Sequence, residues 1–135
     1  MSALMMLDTN MVSYFMREKD AKIKRRLVKH GMANVCISVL TEAELLYGVE
    51  LCPATTNLNA VVEEFLARVS RYDWDSEAAN CYARLRHDCK QNGVALSNID
   101  MLIAAHAIAL DATLVTSDRV FTHISKRLLK TVDWA

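Results

Sequence analysis

Apolar positions recur along this chain in two rhythms. Short unbroken runs, at Leu4-Met5-Met6-Leu7, "ANVCISVL" (33–40) and "ATLVTS" (112–117), carry no polar face and predict strands buried on both sides. Elsewhere the apolar residues return every three or four positions. Leu58, Val61, Val62, Phe65, Leu66 and Val69 follow i, i+3, i+4, i+7, i+8, i+11, the spacing of an amphipathic helix. Residues 76–91 predict another, with Ala78, Cys81, Tyr82, Leu85 and Cys89 inward, and "DAKIKRRLVKH" (20–30) a third, with Ile23, Leu27 and Val28 on its apolar face. "TNMVSYFM" and "TEAELLYGVEL" are helical, the second ended near Cys52-Pro53, while "RYDW" (71–74) and a segment near "KTVDW" predict short strands. "MLIAAHAIAL" (101–110) is apolar on nearly every side and predicts a helix enclosed by the protein. Strands without a polar face, alternating with helices, predict an α/β fold with a central, mainly parallel sheet between helical layers.

Four acids fall where those elements meet. The first strand ends in Asp8, and the second runs into Thr41-Glu42-Ala43-Glu44. The enclosed helix is entered by Ser97-Asn98-Ile99-Asp100, and the strand at 112–116 ends in Ser117-Asp118. Each acid singly fits helix capping: Thr41 with Glu44 and Ser97 with Asp100 have the capping-box spacing, and Asp8 and Asp118 can cap directly. Jointly they imply more. Every strand of a parallel sheet leaves by the same edge, where open α/β folds bind ligands, so the four carboxylates gather within a few strand spacings of about 4.8 Å. Two of them about 4 Å apart repel by roughly 4 kcal/mol at an effective dielectric near 20. Protons or a hard divalent cation can relieve that repulsion, and an all-oxygen set with no Cys or His at suitable spacing to compete for zinc suits Mg²⁺ or Mn²⁺. Such an ion activates water and neutralises charge in phosphodiester displacement.

Composition narrows the picture. The 135 residues fit one domain, 1–135, and at 53% hydrophobic they supply a core without disulfides or a structural metal. Sixteen cationic and sixteen anionic side chains cancel, which argues against a bulk electrostatic coat for nucleic acid. A local exception is the run Lys19, Lys22, Lys24, Arg25, Arg26 and Lys29, either a solvated helix face or a phosphate-gripping flank. Cys36, Cys52, Cys81 and Cys89 lack metal-ligand spacing and predict buried free thiols, suited to a reducing cytoplasm. The first apolar run is too short for a secretory signal, and no stretch approaches the roughly 20 apolar residues of a membrane span, so a cytoplasmic location is expected.

"MLDTN", "ISVLTEAELLYGVE", "DMLIAAHAIAL", "LVTSDRVF" and the closing "VDWA", in that order over the whole chain, resemble the PIN-domain ribonucleases, and within them the VapC toxins of type II toxin–antitoxin modules. The resemblance implies a PIN-like three-layer α/β/α sandwich. It places the family's acids on Asp8, Glu44, Asp100 and Asp118, as catalytic residues and ligands of Mg²⁺ or Mn²⁺, with Asn10 and Thr116 in supporting positions. It implies an endoribonuclease that cuts tRNA, initiator tRNA in the anticodon stem-loop first among the candidates, to block translation. A VapB-type antitoxin and a homodimer are the implied partners, and Lys22, Arg25 and Arg26 the candidate RNA contacts. Two positions depart from the pattern: the family usually has Gly where Ser97 stands, and its fourth acid alternates between Asp and Asn. His106, in an apolar helix, reads as a core histidine.

Two other readings start from the same residues. A non-catalytic α/β binding module would use its acids only as caps. A Mg²⁺-dependent phosphotransfer domain also begins with a strand ending in Asp. However, haloacid-dehalogenase-like phosphatases need a second acid where Asn10 stands, and a receiver domain needs a phosphoacceptor Asp in the stretch between Asp20 and Asp73, which has none.

Overall fold

The computed structural model describes residues 4–17, 21–53 and 56–135. Strand β1 (Met5–Leu7) leads into helices α1 (Thr9–Arg17) and α2 (Lys22–His30), then a 3₁₀ turn (Met32–Asn34) and β2 (Val35–Ser38). Helices α3 (Val39–Leu51) and α4 (Leu58–Arg68), strand β3 (Ser70–Tyr72) and helices α5 (Ser76–Gln91) and α6 (Asn98–Ala109) follow. The described chain closes with β4 (Thr113–Val115), a 3₁₀ turn (Arg119–His123) and β5 (Lys130–Val132). The five strands form one sheet in the order β3-β2-β1-β4-β5, every neighbouring pair parallel. The expected parallel α/β/α sandwich is present.

Each central strand divides its side chains between two cores. Met5 and Leu7 of β1, Val35 and Ile37 of β2 and Val115 of β4 pack with residues of α1, α2, α3 and α4 on one face. Met6, Cys36 and Leu114 point the other way, into α5, α6 and Phe121. Because side chains alternate along a strand and both faces are covered, every position of these strands must be apolar, hence the unbroken runs. Trp134 is buried in the first core and stacks on His30, ring centroids 5.1 Å apart.

Several expected boundaries move. The second strand is shorter than 33–40: Asn34 ends a 3₁₀ turn, and Val39 and Leu40 are already helical because Ser38 caps α3, its hydroxyl accepting the Leu40 N–H at 3.1 Å. Thr41 therefore lies buried inside the helix, so the Thr41–Glu44 capping box does not form. The strand expected at 71–74 is Ser70–Tyr72; Trp74 lies past it and donates its indole N–H to the Leu102 carbonyl at 3.0 Å. Val28 is 73% exposed rather than inward, leaving Ile23 and Leu27 as the buried residues of α2. All four thiols are free, but Cys52 is exposed and Cys81 half-buried. Lys19 and Asp20 lie outside the described residues. Among the described residues no helix is long and apolar enough to cross a membrane.

Candidate active site at the carboxyl edge of the sheet

Asp8 is the first residue past β1 and is only 5% exposed. Its backbone continues the sheet, the N–H donating to the Val115 carbonyl at 3.1 Å. One carboxylate oxygen accepts the Met11 N–H at 2.8 Å, so Asp8 does cap α1. The Thr116 side chain, at the end of β4, stands near enough to the carboxylate to favour its charged form. Burial is the largest influence on this carboxyl and pushes its pKa above the ordinary value. The Thr116 side chain and the Met11 N–H pull it back, and the nearby charges of Asp100 and Asp118 push it up again. Capping and repulsion thus act on the same side chain: an oriented, desolvated carboxylate beside two others.

Asp8, Thr9, Asn10, Glu44, Ser97, Ile99 and Asp100 line a cleft of about 230 Å³ at this edge. Residues from the ends of β1 and α1, from α3 and from the start of α6 meet there. Glu44 reaches it from one and a half turns inside α3. The Thr9 hydroxyl donates to its carboxylate and also lies 3.2 Å from the Thr41 hydroxyl. The neighbouring acid is committed elsewhere, since Glu42 pairs with Arg71 of β3 at 2.6 Å. Asp100 sits in the first turn of α6, its N–H bonded to the capping Ser97 hydroxyl at 3.2 Å. The serine at this position keeps the cap and also lines the cleft.

Asp118 stands outside the cleft lining and is exposed. One of its oxygens accepts the Val120 N–H at 3.0 Å, capping the 3₁₀ turn, while its own N–H donates to Thr116 Oγ1 at 3.1 Å. Thr116 thus stands between Asp8 and Asp118. Asn10 is exposed at the mouth, and Lys22, Arg25 and Arg26 are exposed on α2, outside the lining.

The donor set is oxygen throughout, as a hard cation requires. Among the described residues no three of His, Cys, Asp and Glu stand close enough together to enclose an ion. Mg²⁺ does not need such a cage: it keeps several waters and binds through one or two carboxylates plus substrate phosphate oxygens. A buried Asp8, oriented by the Met11 N–H and within electrostatic reach of Asp100, fits that mode. Thr9, Thr41 and Ser38 escape sequence reasoning as parts of this architecture. Only the adjacency of Thr9 to Asp8 hints at its place.

The PIN domain family model matches residues 5–127 of this chain. The tRNA(fMet)-specific endonuclease VapC of Shigella flexneri is 31% identical, across 96% of this chain and 97% of that protein. Ribonuclease VapC2 of Rickettsia felis is 33% identical, across 95% and 97%. Among solved structures, the DNA-bound VapBC complex of Salmonella typhimurium contains a chain that superposes with a TM-score of 0.90 at 31% identity, covering 98% of this chain and 99% of that one.

Proposed function

The chain belongs to the PIN-domain family, among the VapC ribonucleases, and from that membership we propose a metal-dependent endoribonuclease toxin that cuts tRNA and so stops translation. Initiator tRNA is the first candidate substrate, in keeping with the name of the Shigella flexneri relative. The observation that carries the reading is the meeting of Asp8, Glu44 and Asp100 in one cleft at the carboxyl edge of a parallel sheet.

Asp8 and Asp100 would hold a Mg²⁺ or Mn²⁺ ion, with Glu44 and Asp118 as the remaining carboxylates around it. The ion, when bound, supplies a water nucleophile at neutral pH and offsets charge on the phosphate. The chain's own contribution is placement. The Met11 N–H fixes the rotation of the Asp8 carboxylate, with the Thr116 side chain beside it. Thr9 holds Glu44 at the cleft wall. Asn10 offers a neutral amide at the mouth for a phosphate or ribose oxygen, and Lys22, Arg25 and Arg26 grip the backbone farther out.

A VapB-type antitoxin partner follows from the VapBC complexes among the structural relatives. A homodimer is supported by the apolar residues Leu46, Tyr47 and Leu51, which α3 leaves exposed. The working unit is one PIN domain acting in the cytoplasm. Brief induction in cells, followed by sequencing of RNA 5′ ends, tests the substrate. New ends confined to one tRNA anticodon region support the proposal, and an unchanged 5′-end profile despite accumulated folded protein contradicts it.

A further inference from the structure

Helix α6 is apolar apart from its first turn and His106, which is 1% exposed. His106 Nδ1 lies 2.8 Å from the Ser38 hydroxyl, a bond that spans 68 residues of sequence inside the protein. Ser38 is also buried, and the same oxygen already accepts the Leu40 N–H to cap α3. Burial lowers the pKa of His106, against a partial opposing effect of the Asp73 carbonyl and the Asp73 and Asp75 charges, so the ring is neutral at pH 7. In a neutral ring one nitrogen donates and the other accepts. Nδ1 and the Ser38 hydroxyl share one proton in this bond, whichever of the two donates it. Nε2 has no hydrogen-bond partner among the described residues. The Ser38 bond is thus the one hydrogen bond of the His106 side chain among the described residues.

We propose that His106 is a positioning residue, which through Ser38 pins the start of the Glu44 helix against the Asp100 helix and thereby sets the spacing of the two acids. The spacings make the tie effective. Glu44 is six residues beyond Ser38, and His106 six beyond Asp100, so each acid lies about 9 Å along its helix from the shared contact at 1.5 Å per residue. A tilt of about 10° at that contact moves an acid by roughly 1.5 Å, and a misplacement of about 1 Å is enough to cost on the order of a hundredfold in rate. β2, which ends at Ser38, lies beside β1, so Asp8 is referenced to the same point. The inference rests on the acidic cleft being a metal site.

Mn²⁺ binding to the purified full-length protein, followed by electron paramagnetic resonance, is the test, with RNA cleavage measured alongside. His106→Leu keeps side-chain bulk and removes the bond. It is expected to weaken Mn²⁺ binding roughly tenfold, in line with other residues that orient metal ligands, and to lower kcat with KM for RNA little changed. His106→Asn can place an amide oxygen near the Nδ1 position and restores most of the affinity. Ser38→Ala weakens binding by itself, and the double variant Ser38→Ala/His106→Leu binds no worse than the weaker single one, because both break the same bond. A folded His106→Leu protein with wild-type Mn²⁺ affinity, or an Asn variant as poor as Leu, would overturn the proposal. If His106→Leu does not fold, Ser38→Ala decides it: unaltered Mn²⁺ affinity there also overturns it. Wild-type protein that takes up no Mn²⁺ would remove the metal site itself, and this inference with it.

Discussion

The Thr9 hydroxyl donates to the Glu44 carboxylate, joining the first turn of α1 to the middle of α3 across 35 residues of sequence. Thr9 is the neighbour of Asp8, so this bond ties the acid of one strand to the acid of the next crossover helix. Thr9→Val removes the hydroxyl at nearly constant volume. Cleavage is expected to drop about tenfold, for a bond worth roughly 1.5 kcal/mol to a charged acceptor, while Thr9→Ser keeps most activity. Steady-state kinetics on one tRNA substrate distinguish the two. Equal rates for Val and wild type would remove Thr9 from the site.

The raised pKa of Asp8 sets a pH dependence of stability with a definite sign. A carboxyl that holds its proton more tightly when folded adds stability fully below its unfolded value near 3.8. That contribution is lost as pH rises through the higher folded value. Above that folded value, metal-free protein carries the whole cost of a desolvated charge beside Asp100 and Asp118. Asp8→Asn keeps an oxygen for the Met11 N–H and removes the charge, so the metal-free variant should melt about 3 °C higher at pH 7.5. The difference should shrink toward pH 4. Added Mg²⁺ should raise the wild-type midpoint and leave the variant unmoved. Scanning calorimetry across that pH range, with and without Mg²⁺, checks both; a lower midpoint for metal-free Asp8→Asn at pH 7.5 would refute the electrostatic account.

The cations of α2 are exposed on the solvent side of Ile23 and Leu27. If they grip phosphates, Lys22→Gln/Arg25→Gln/Arg26→Gln should weaken RNA binding. The log–log salt dependence should flatten by somewhat under one unit for each phosphate left without its cation, up to about 2 units in all. Metal affinity and cleavage position should be kept, since gripping phosphates involves no base readout. Filter binding at several salt concentrations reads the slope, and an unchanged slope would return this face to ordinary surface.

What the sequence discloses and what it hides follow from the range of the interactions. β1 and β2 are visible as apolar runs because both faces of the sheet are covered, and that parallel sheet is what allows Asp8, Glu44 and Asp100 to be expected together. Local chemistry misleads at α3, where Thr41 and Glu44 have capping-box spacing. Ser38, three residues earlier, takes the cap because β2 ends sooner than its apolar pattern suggests. Val28 fits the helical period beside Leu27 yet stays exposed, since the neighbouring helices cover only the Ile23–Leu27 stripe. The Thr9–Glu44 and Ser38–His106 bonds leave no trace in any local window, because each joins positions brought together only by the finished fold.

The central claim is that the acids of this cleft perform metal-dependent RNA cleavage. The most direct measurement is cleavage of end-labelled tRNA by purified wild-type, Asp8→Asn and Asp100→Asn proteins, in Mg²⁺ or Mn²⁺ and again with EDTA, with circular dichroism confirming the fold of each. The account predicts site-specific cleavage by the wild type that EDTA abolishes and either substitution reduces by about a hundredfold or more. Cleavage by a folded Asp8→Asn or Asp100→Asn protein at the wild-type rate, with the same metal, would contradict it.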